Sequence, residues 1–147
     1  MKHSYLFEEG HWKATGRYYD QEGNQVEVYA ETTIRHMEKE WILDGYMELQ
    51  SEHPVKIFNT YSIDPIPARA EFTTWTSENP ALGTLSGKFM MIGDTILSAY
   101  VSENGLYSGS ECLVKINDRQ YANRGFAFHG EMKLSSWEVT LERISFA

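Results

Sequence analysis

Cysteine and basic residues are scarce in this chain, and each scarcity excludes a class of protein. Cys112 is the only cysteine among 147 residues, which excludes an intramolecular disulfide and a thiolate metal cage. Lys and Arg total 13 against 21 Asp and Glu, giving a net charge of −8. Because nucleic-acid binding requires a basic surface, no nucleic-acid partner is expected.

Long apolar runs are also missing. No window approaches the ~18 apolar residues that a membrane span requires. The first acid arrives at Glu8, before any apolar stretch of signal-peptide length. With one thiol and no targeting signal, we expect a cytoplasmic protein without a membrane partner. The five histidines show no metal-ligand spacing, and no phosphate-binding loop is present, so no metal and no cofactor are expected.

Aromatic residues, in contrast, make up 14% of the chain. This content excludes a disordered acidic chain, which would have few aromatics. The length corresponds to one domain, and we expect it to span residues 1–147.

Turn signals recur throughout the chain and separate ten segments of roughly 8–12 residues that are rich in Tyr, Val, Ile, Thr and Trp. Connections this short join only antiparallel neighbours. We therefore predict an all-β fold: a closed antiparallel meander barrel of about ten strands, lipocalin-like. Residues 3–11 would form a short helix or an N-terminal plug segment. The turn signals lie at 21–24, 37–40, 51–54, 64–67, 77–80, 93–94, 104–105, 117–118 and 130–131.

Hairpin pairing predicts which side chains point into the barrel, because residues that pair across a turn share a face. In the hairpin around 37–40, charged residues such as Glu31 and Asp44 mark the outer face. The inward face of the C-terminal half would then be strongly aromatic. Its aromatic members are Phe89, Tyr100, Tyr107, Phe126, Phe128 and Trp137.

This assignment leaves an apolar patch on the outer face of the segments covering residues 95–116. Either a bulge reverses these two strands or the patch is a subunit interface, in which case the protein forms a homodimer. The patch consists of Leu97, Val101, Cys112, Val114 and Ile116.

The two ends of the chain carry a recognisable pair of features. Gly10-His11-Trp12 opens the first strand, and Arg143 near the end of the last strand would lie across the Trp12 ring. This pattern resembles the calycin superfamily of lipocalins and fatty-acid-binding proteins, in which an arginine caps a Gly-x-Trp motif. The resemblance implies a cavity for a small apolar or aromatic molecule. The chain differs in having no helical lid between its first two strands, and His129, at a turn, does not match a nitrobindin-type haem ligand.

A pair of opposite charges is predicted across the hairpin at Asn117-Asp118, where Glu111 would face Arg124. On an outer face this would be an ordinary exposed ion pair. On the inner face, Arg124 could bind a carboxylate on the ligand.

We therefore expect a small-molecule-binding protein whose ligand is apolar or aromatic and carries an acidic group if Arg124 takes part. The alternative is a lipocalin-like isomerase, cyclase or decarboxylase in which buried Glu111 acts as the acid or base, assisted by Tyr100 or Tyr107. The expected ligand-binding residues are Arg124, Glu111, Tyr100, Tyr107, Phe126, Phe128, Trp137 and Tyr18.

Overall fold

The computed structural model describes residues 2–67 and 69–145, with side chains up to Ile144. The ends of the domain predicted over residues 1–147 lie outside these ranges. All nine predicted turns separate strands, and the described residues form ten strands and no helix. The strands are β1 (Gly10–Tyr19), β2 (Gln25–His36), β3 (Trp41–Gln50), β4 (Val55–Ile63), β5 (Phe72–Asn79), β6 (Gly83–Ile92), β7 (Thr95–Ser102), β8 (Tyr107–Asn117), β9 (Gln120–His129) and β10 (Met132–Ser145).

The strands form the closed meander barrel that the turn spacing predicts. Each strand pairs antiparallel with the next, and β1 pairs with β10 to close the sheet. Turn chemistry supports this order: Gly105, with φ of 76°, follows Asn104 in the tight β7–β8 hairpin. No helix in the described part of the chain is long and apolar enough to cross a membrane.

The wall is weakest between β4 and β5. Only four residues of β4, Thr60 to Ile63, pair with β5, whereas the other strand pairs match seven or more positions. Asn79 Nδ2 donates to Asn59 Oδ1 at 3.4 Å just beyond the last pair. Residues 55–59 of β4 therefore pair with no residue of β5, and this unpaired edge, at the end of the barrel opposite the N-terminal segment, is hereafter the gap.

Residues 3–9 form a plug, as predicted, although not a helical one. Leu6 is fully buried, and Tyr5 packs edge-on against Trp12 with ring centroids 5.2 Å apart. The Tyr121 hydroxyl accepts the backbone N–H of Ser4 at 3.1 Å and donates to His3 Nδ1 at 2.9 Å. The plug therefore closes one end of the barrel with both apolar contact and hydrogen bonds.

The Trp12–Arg143 pair lies beside this plug. Trp12 and Arg143 are direct partners across β1 and β10, and the guanidinium carbon lies 5.8 Å from the Trp12 ring centroid. Arg143, only 2% exposed, donates to Glu8 Oε1 at 3.0 Å and to the Glu9 carbonyl at 2.7 Å. The arginine thus joins the last strand, the first strand and the plug.

The predicted pairing of Glu111 with Arg124 is wrong. The β8–β9 register shifts between Lys115 and Asn117, so Glu111 pairs with Gly125, and Cys112 pairs with Arg124. A shift of one residue moves every side chain of a strand to the opposite face. Arg124, Phe126 and Phe128 therefore face outward, and Arg124 lies 4.0 Å from Glu138 on the outer surface.

No bulge reverses the faces of β7 and β8, so their inward and outward side chains are those predicted from hairpin pairing. Ile96, Ser98 and Ser102 are buried, whereas Leu97 and Val101 are 39% and 47% exposed. The predicted apolar patch therefore lies on the outer surface, and the homodimer it suggested stays a prediction.

Candidate functional site

Glu111 lies inside the barrel, in a fixed hydrogen-bond arrangement with two neighbours. The Trp137 indole N–H, which can only donate, lies 3.1 Å from Asn123 Oδ1. This contact turns the Asn123 amide nitrogen toward Glu111 Oε2, at 3.1 Å, and toward the Cys112 carbonyl, at 3.0 Å. Asn123 thereby uses its acceptor and both donors, and it holds the Glu111 carboxyl group in place.

Three aromatic rings lie flat along the inner wall because each covers a glycine on a neighbouring strand. Trp75 lies over Gly87, Tyr100 over Gly109 and Trp137 over Gly125. A Cβ added to any of these glycines would lie 2.2–2.4 Å from the ring that covers it. The glycines therefore allow the rings to line the wall instead of filling the centre of the barrel.

The barrel interior retains open space beside these rings. Glu111, Tyr100 and Trp137 point inward, yet each keeps an intermediate degree of solvent accessibility. The same holds for Met47 and Leu49 on β3. Inward-facing side chains of a closed barrel keep such accessibility only where water-sized space adjoins them. We infer that this space, hereafter the cavity, is bordered by the partly accessible inward-facing side chains Tyr18, Met47, Leu49, Tyr61, Tyr100, Glu111 and Trp137.

Glu111 is the only acidic side chain on the inward face of the described strands, and it has no positively charged partner there. The inward-facing lysine and arginine of the described strands lie at the plugged end and contact acids there. Arg143 contacts Glu8, and the Lys115 ammonium lies 2.7 Å from Asp118 Oδ1. The cavity therefore contains one uncompensated acid.

The environment of this acid favours its neutral form. Burial raises the pKa of the Glu111 carboxyl above its usual range, and the hydrogen bonds from Asn123 and Trp137 only partly offset this. Burial and the nearby Glu111 charge together raise the pKa of Tyr100 to about 12. The pKa values of Tyr5 and Tyr61 rise for the same two reasons. A proton is therefore retained on Glu111 at a higher pH in the folded chain than in the unfolded chain.

This raised pKa predicts a pH-dependent effect of Glu111→Gln on stability. A group whose pKa is raised by folding contributes stability below its unfolded pKa and loses it as the pH rises through its folded pKa. Glutamine keeps the shape and the acceptor for Asn123 but has no charge to bury. At pH 8 we expect the Tm of Glu111→Gln to exceed that of wild type by roughly 2–4 °C. For a chain of this size, this difference corresponds to a gain in the free energy of unfolding of ~1 kcal/mol.

The difference between Glu111→Gln and wild type should shrink toward acid pH, where both side chains are neutral. Thermal unfolding followed by circular dichroism between pH 4 and 8 measures it. Glu142→Gln is the matched control, because Glu142 is 51% exposed and 4.0 Å from Lys13. An equal rise in Tm in both variants would mean that the stabilisation comes from the change in net charge and not from the burial of Glu111.

The structure places five of the eight predicted site residues on the inward face. The five are Tyr18, Tyr100, Tyr107, Glu111 and Trp137. At the open end the Tyr107 ring lies tilted against His129, with 4.9 Å between the ring centroids. The outward face of Arg124, Phe126 and Phe128 removes these three from the cavity.

Three inward residues near Glu111 were not predicted from the sequence. Asn123 takes the place expected of Arg124, Trp75 donates to Ser98 Oγ at 3.2 Å, and Tyr61 packs on Trp75 with centroids 4.8 Å apart. Asn123 reaches this position because of a one-residue bulge in β8, which no turn signal marks. For Tyr61, the register around 51–54 was not fixed by the sequence.

The histidines do not form a metal site. No group of three or more His, Cys, Asp or Glu side chains that could hold an ion occurs in the described ranges. His36 lies at the plugged end of the barrel. It donates to the Leu6 carbonyl at 2.7 Å and stacks on Trp41 at 3.8 Å.

Comparison with known proteins identifies the fold and leaves the function open. No family model matches the chain, and no curated protein sequence does either. Solved structures do match: an S-type phycobiliprotein lyase, CPES, from Guillardia theta has a TM-score of 0.66 at 11% identity, covering 92% of this chain and 87% of that one. Rv2717c from M. tuberculosis also has a TM-score of 0.66, at 13% identity, covering 95% of this chain and 94% of that one. The chain has a lipocalin-like fold.

Proposed function

We propose that this protein binds a small apolar or aromatic molecule in the cavity, with Glu111 as the polar contact. The observation that carries the proposal is the partial accessibility of Glu111, Tyr100 and Trp137, which are enclosed by the barrel and still border open space. Aromatic walls with a few fixed polar groups are typical of small-molecule sites. The gap between β4 and β5, at the unplugged end, would serve as the entrance.

The first test is a search for the ligand. Native mass spectrometry of protein purified from its own host would detect a retained molecule. Probes would include a fatty acid and, because one protein of this fold is named a phycobiliprotein lyase, a bilin. Quenching of tryptophan fluorescence would report binding, since Trp75 and Trp137 line the inner wall.

A variant that fills the cavity tests its location. Ala30 points inward between Ala14 and Met47, at an intermediate degree of accessibility. We expect Ala30→Phe to weaken binding of any captured probe by at least about tenfold, because the added ring occupies space beside Met47. Fluorescence titration measures the loss.

Ala99→Phe provides the control for this experiment, because Ala99 lies on the outer face of β7 and is exposed. It should bind as wild type does. Wild-type affinity in a folded Ala30→Phe protein would mean that the ligand does not occupy the barrel.

A second function rests on the chemistry of Glu111. Its raised pKa and the neighbouring Tyr100 hydroxyl are suited to proton transfer on a bound molecule. In that case the protein would be a lipocalin-like isomerase, cyclase or decarboxylase. Once a bound molecule is known, its turnover by wild type and by Glu111→Gln can be compared. Equal rates of turnover in the two proteins would exclude this catalytic role.

A further inference from the structure

Within the described strands, the only ionisable acid or lysine or arginine side chain in the cavity is Glu111, which can become negatively charged but never positively charged, and this limits the kind of ligand. Within the described strands, acidic residues other than Glu111 lie on the outer face, and Arg124, expected to bind a ligand carboxylate, lies there too. The inward bases, Arg143 and Lys115, are paired with acids at the plugged end. A ligand beside Glu111 therefore meets a carboxyl group and no cation.

The other polar groups near Glu111 do not reverse this field. The Asn123 amide hydrogens are already donated to Glu111 and Cys112. The hydroxyls of Tyr61 and Tyr100 remain protonated, since the pKa of each is raised. In an interior that screens charge less than water does, a ligand carboxylate would be repelled and a ligand cation attracted.

The walls also suit a cation. Tyr100 and Trp137 turn partly accessible ring faces toward the interior because each lies flat over its glycine, whereas Trp75 is covered by Tyr61. The faces of aromatic rings attract ammonium and guanidinium groups. A carboxylate beside aromatic ring faces is therefore well suited to bind an organic cation.

We propose that the cavity selects an organic cation with an apolar or aromatic body, such as a protonated arylalkylamine, whose charged nitrogen pairs with Glu111. This inference rests on the proposed function and names the ligand class for the same site. It replaces the acidic ligand that the sequence predicted. The cation would also supply the charge partner that Glu111 lacks, so binding would draw Glu111 into its ionised form.

Three probes with one aromatic body test the inference in the wild-type protein. Tryptamine carries a cation, tryptophol a neutral hydroxyl and indoleacetate an anion, and all share the indole ring. We expect isothermal titration calorimetry at neutral pH to give tryptamine an affinity about tenfold or more above that of tryptophol, with indoleacetate the weakest. In Glu111→Gln, tryptamine should fall to the level of tryptophol, while Glu142→Gln should keep the wild-type order.

The order of the three affinities in the wild-type protein is sufficient to test the inference, whether or not the Glu111→Gln variant folds. Equal affinity for tryptamine and tryptophol, or a preference for indoleacetate, would overturn the cation preference and leave the proposed function standing. The same conclusion follows if tryptamine fails to bind while a fatty acid or a bilin binds in the cavity. If none of these probes binds and no molecule is retained from the host, the proposed function itself fails.

Discussion

Replacing Arg143 with alanine should lower the free energy of unfolding by about 3 kcal/mol, which is roughly 6–12 °C in Tm for a chain of this size. The side chain is 2% exposed, so its removal leaves a void over the Trp12 ring as well as broken hydrogen bonds. It also frees the Glu9 carbonyl and Glu8 from their donor. Thermal and urea unfolding measure the loss.

The control for Arg143→Ala is Arg17→Ala, which removes the same side chain from the outer face. Arg17 is 57% exposed and 3.7 Å from Glu138, and exposed pairs contribute less than about 1 kcal/mol. Limited proteolysis adds a specific readout, since losing Arg143 should release the plug and expose residues 3–9 to cleavage. Equal unfolding temperatures for Arg143→Ala and wild type would show that the Trp12–Arg143 pair does not hold the barrel end together.

Turn chemistry is the part of the sequence that predicts this fold well. Local signals such as Asn104-Gly105 determine where a strand ends without reference to the rest of the chain. Nine such signals were enough to predict ten strands, and the short connections then allow only antiparallel neighbours. The resemblance of Gly10-His11-Trp12 and Arg143 to the calycin motif agreed with closure between the first and last strands.

The inner face was harder to predict, because it depends on counting residues through every turn. Counting residues through the turn at 37–40 gives the observed pairing of the β2–β3 hairpin, from Val28 with Leu49 to His36 with Trp41. In β9 the count failed by one, since the bulge near Ile116 adds a residue that no turn signal announces. That single residue replaces Arg124 with Asn123 beside Glu111.

This exchange changes the chemistry of the candidate site more than its shape. With Arg124 inside, Glu111 would have a charge partner, and the cavity would offer a guanidinium to an acid. With Asn123 inside, the carboxyl group has a neutral neighbour and burial raises its pKa. The preferred ligand charge thus depends on the register of one hairpin, which the structure supplies and the sequence pattern could not.

Closure of the barrel depends on a glycine in β1, and Gly16→Ala should therefore be strongly destabilising. Gly16 pairs with Val139 across the β1–β10 seam, and a Cβ at this position would lie 2.1 Å from the Glu138 carbonyl oxygen and 2.7 Å from the Val139 Cα. These are backbone atoms, so the clash is relieved only if the two strands move apart. We expect a loss of about 3 kcal/mol, at the upper end of overpacking effects, and a lower Tm by roughly 6–12 °C.

Thr15→Ala is the matched control for Gly16→Ala, because the neighbouring Thr15 is exposed on the outer face of the same strand. Its effect should stay within about 0.5 kcal/mol. Hydrogen exchange separates a local from a general effect: in Gly16→Ala the amides of β1 and β10 should lose protection before those of β6 and β7. The first and last strands are the chain's most distant in sequence, so their pairing closes the longest loop in the fold. Wild-type protection at this seam in Gly16→Ala would mean that the two strands have room for a side chain, and that barrel closure does not require glycine there.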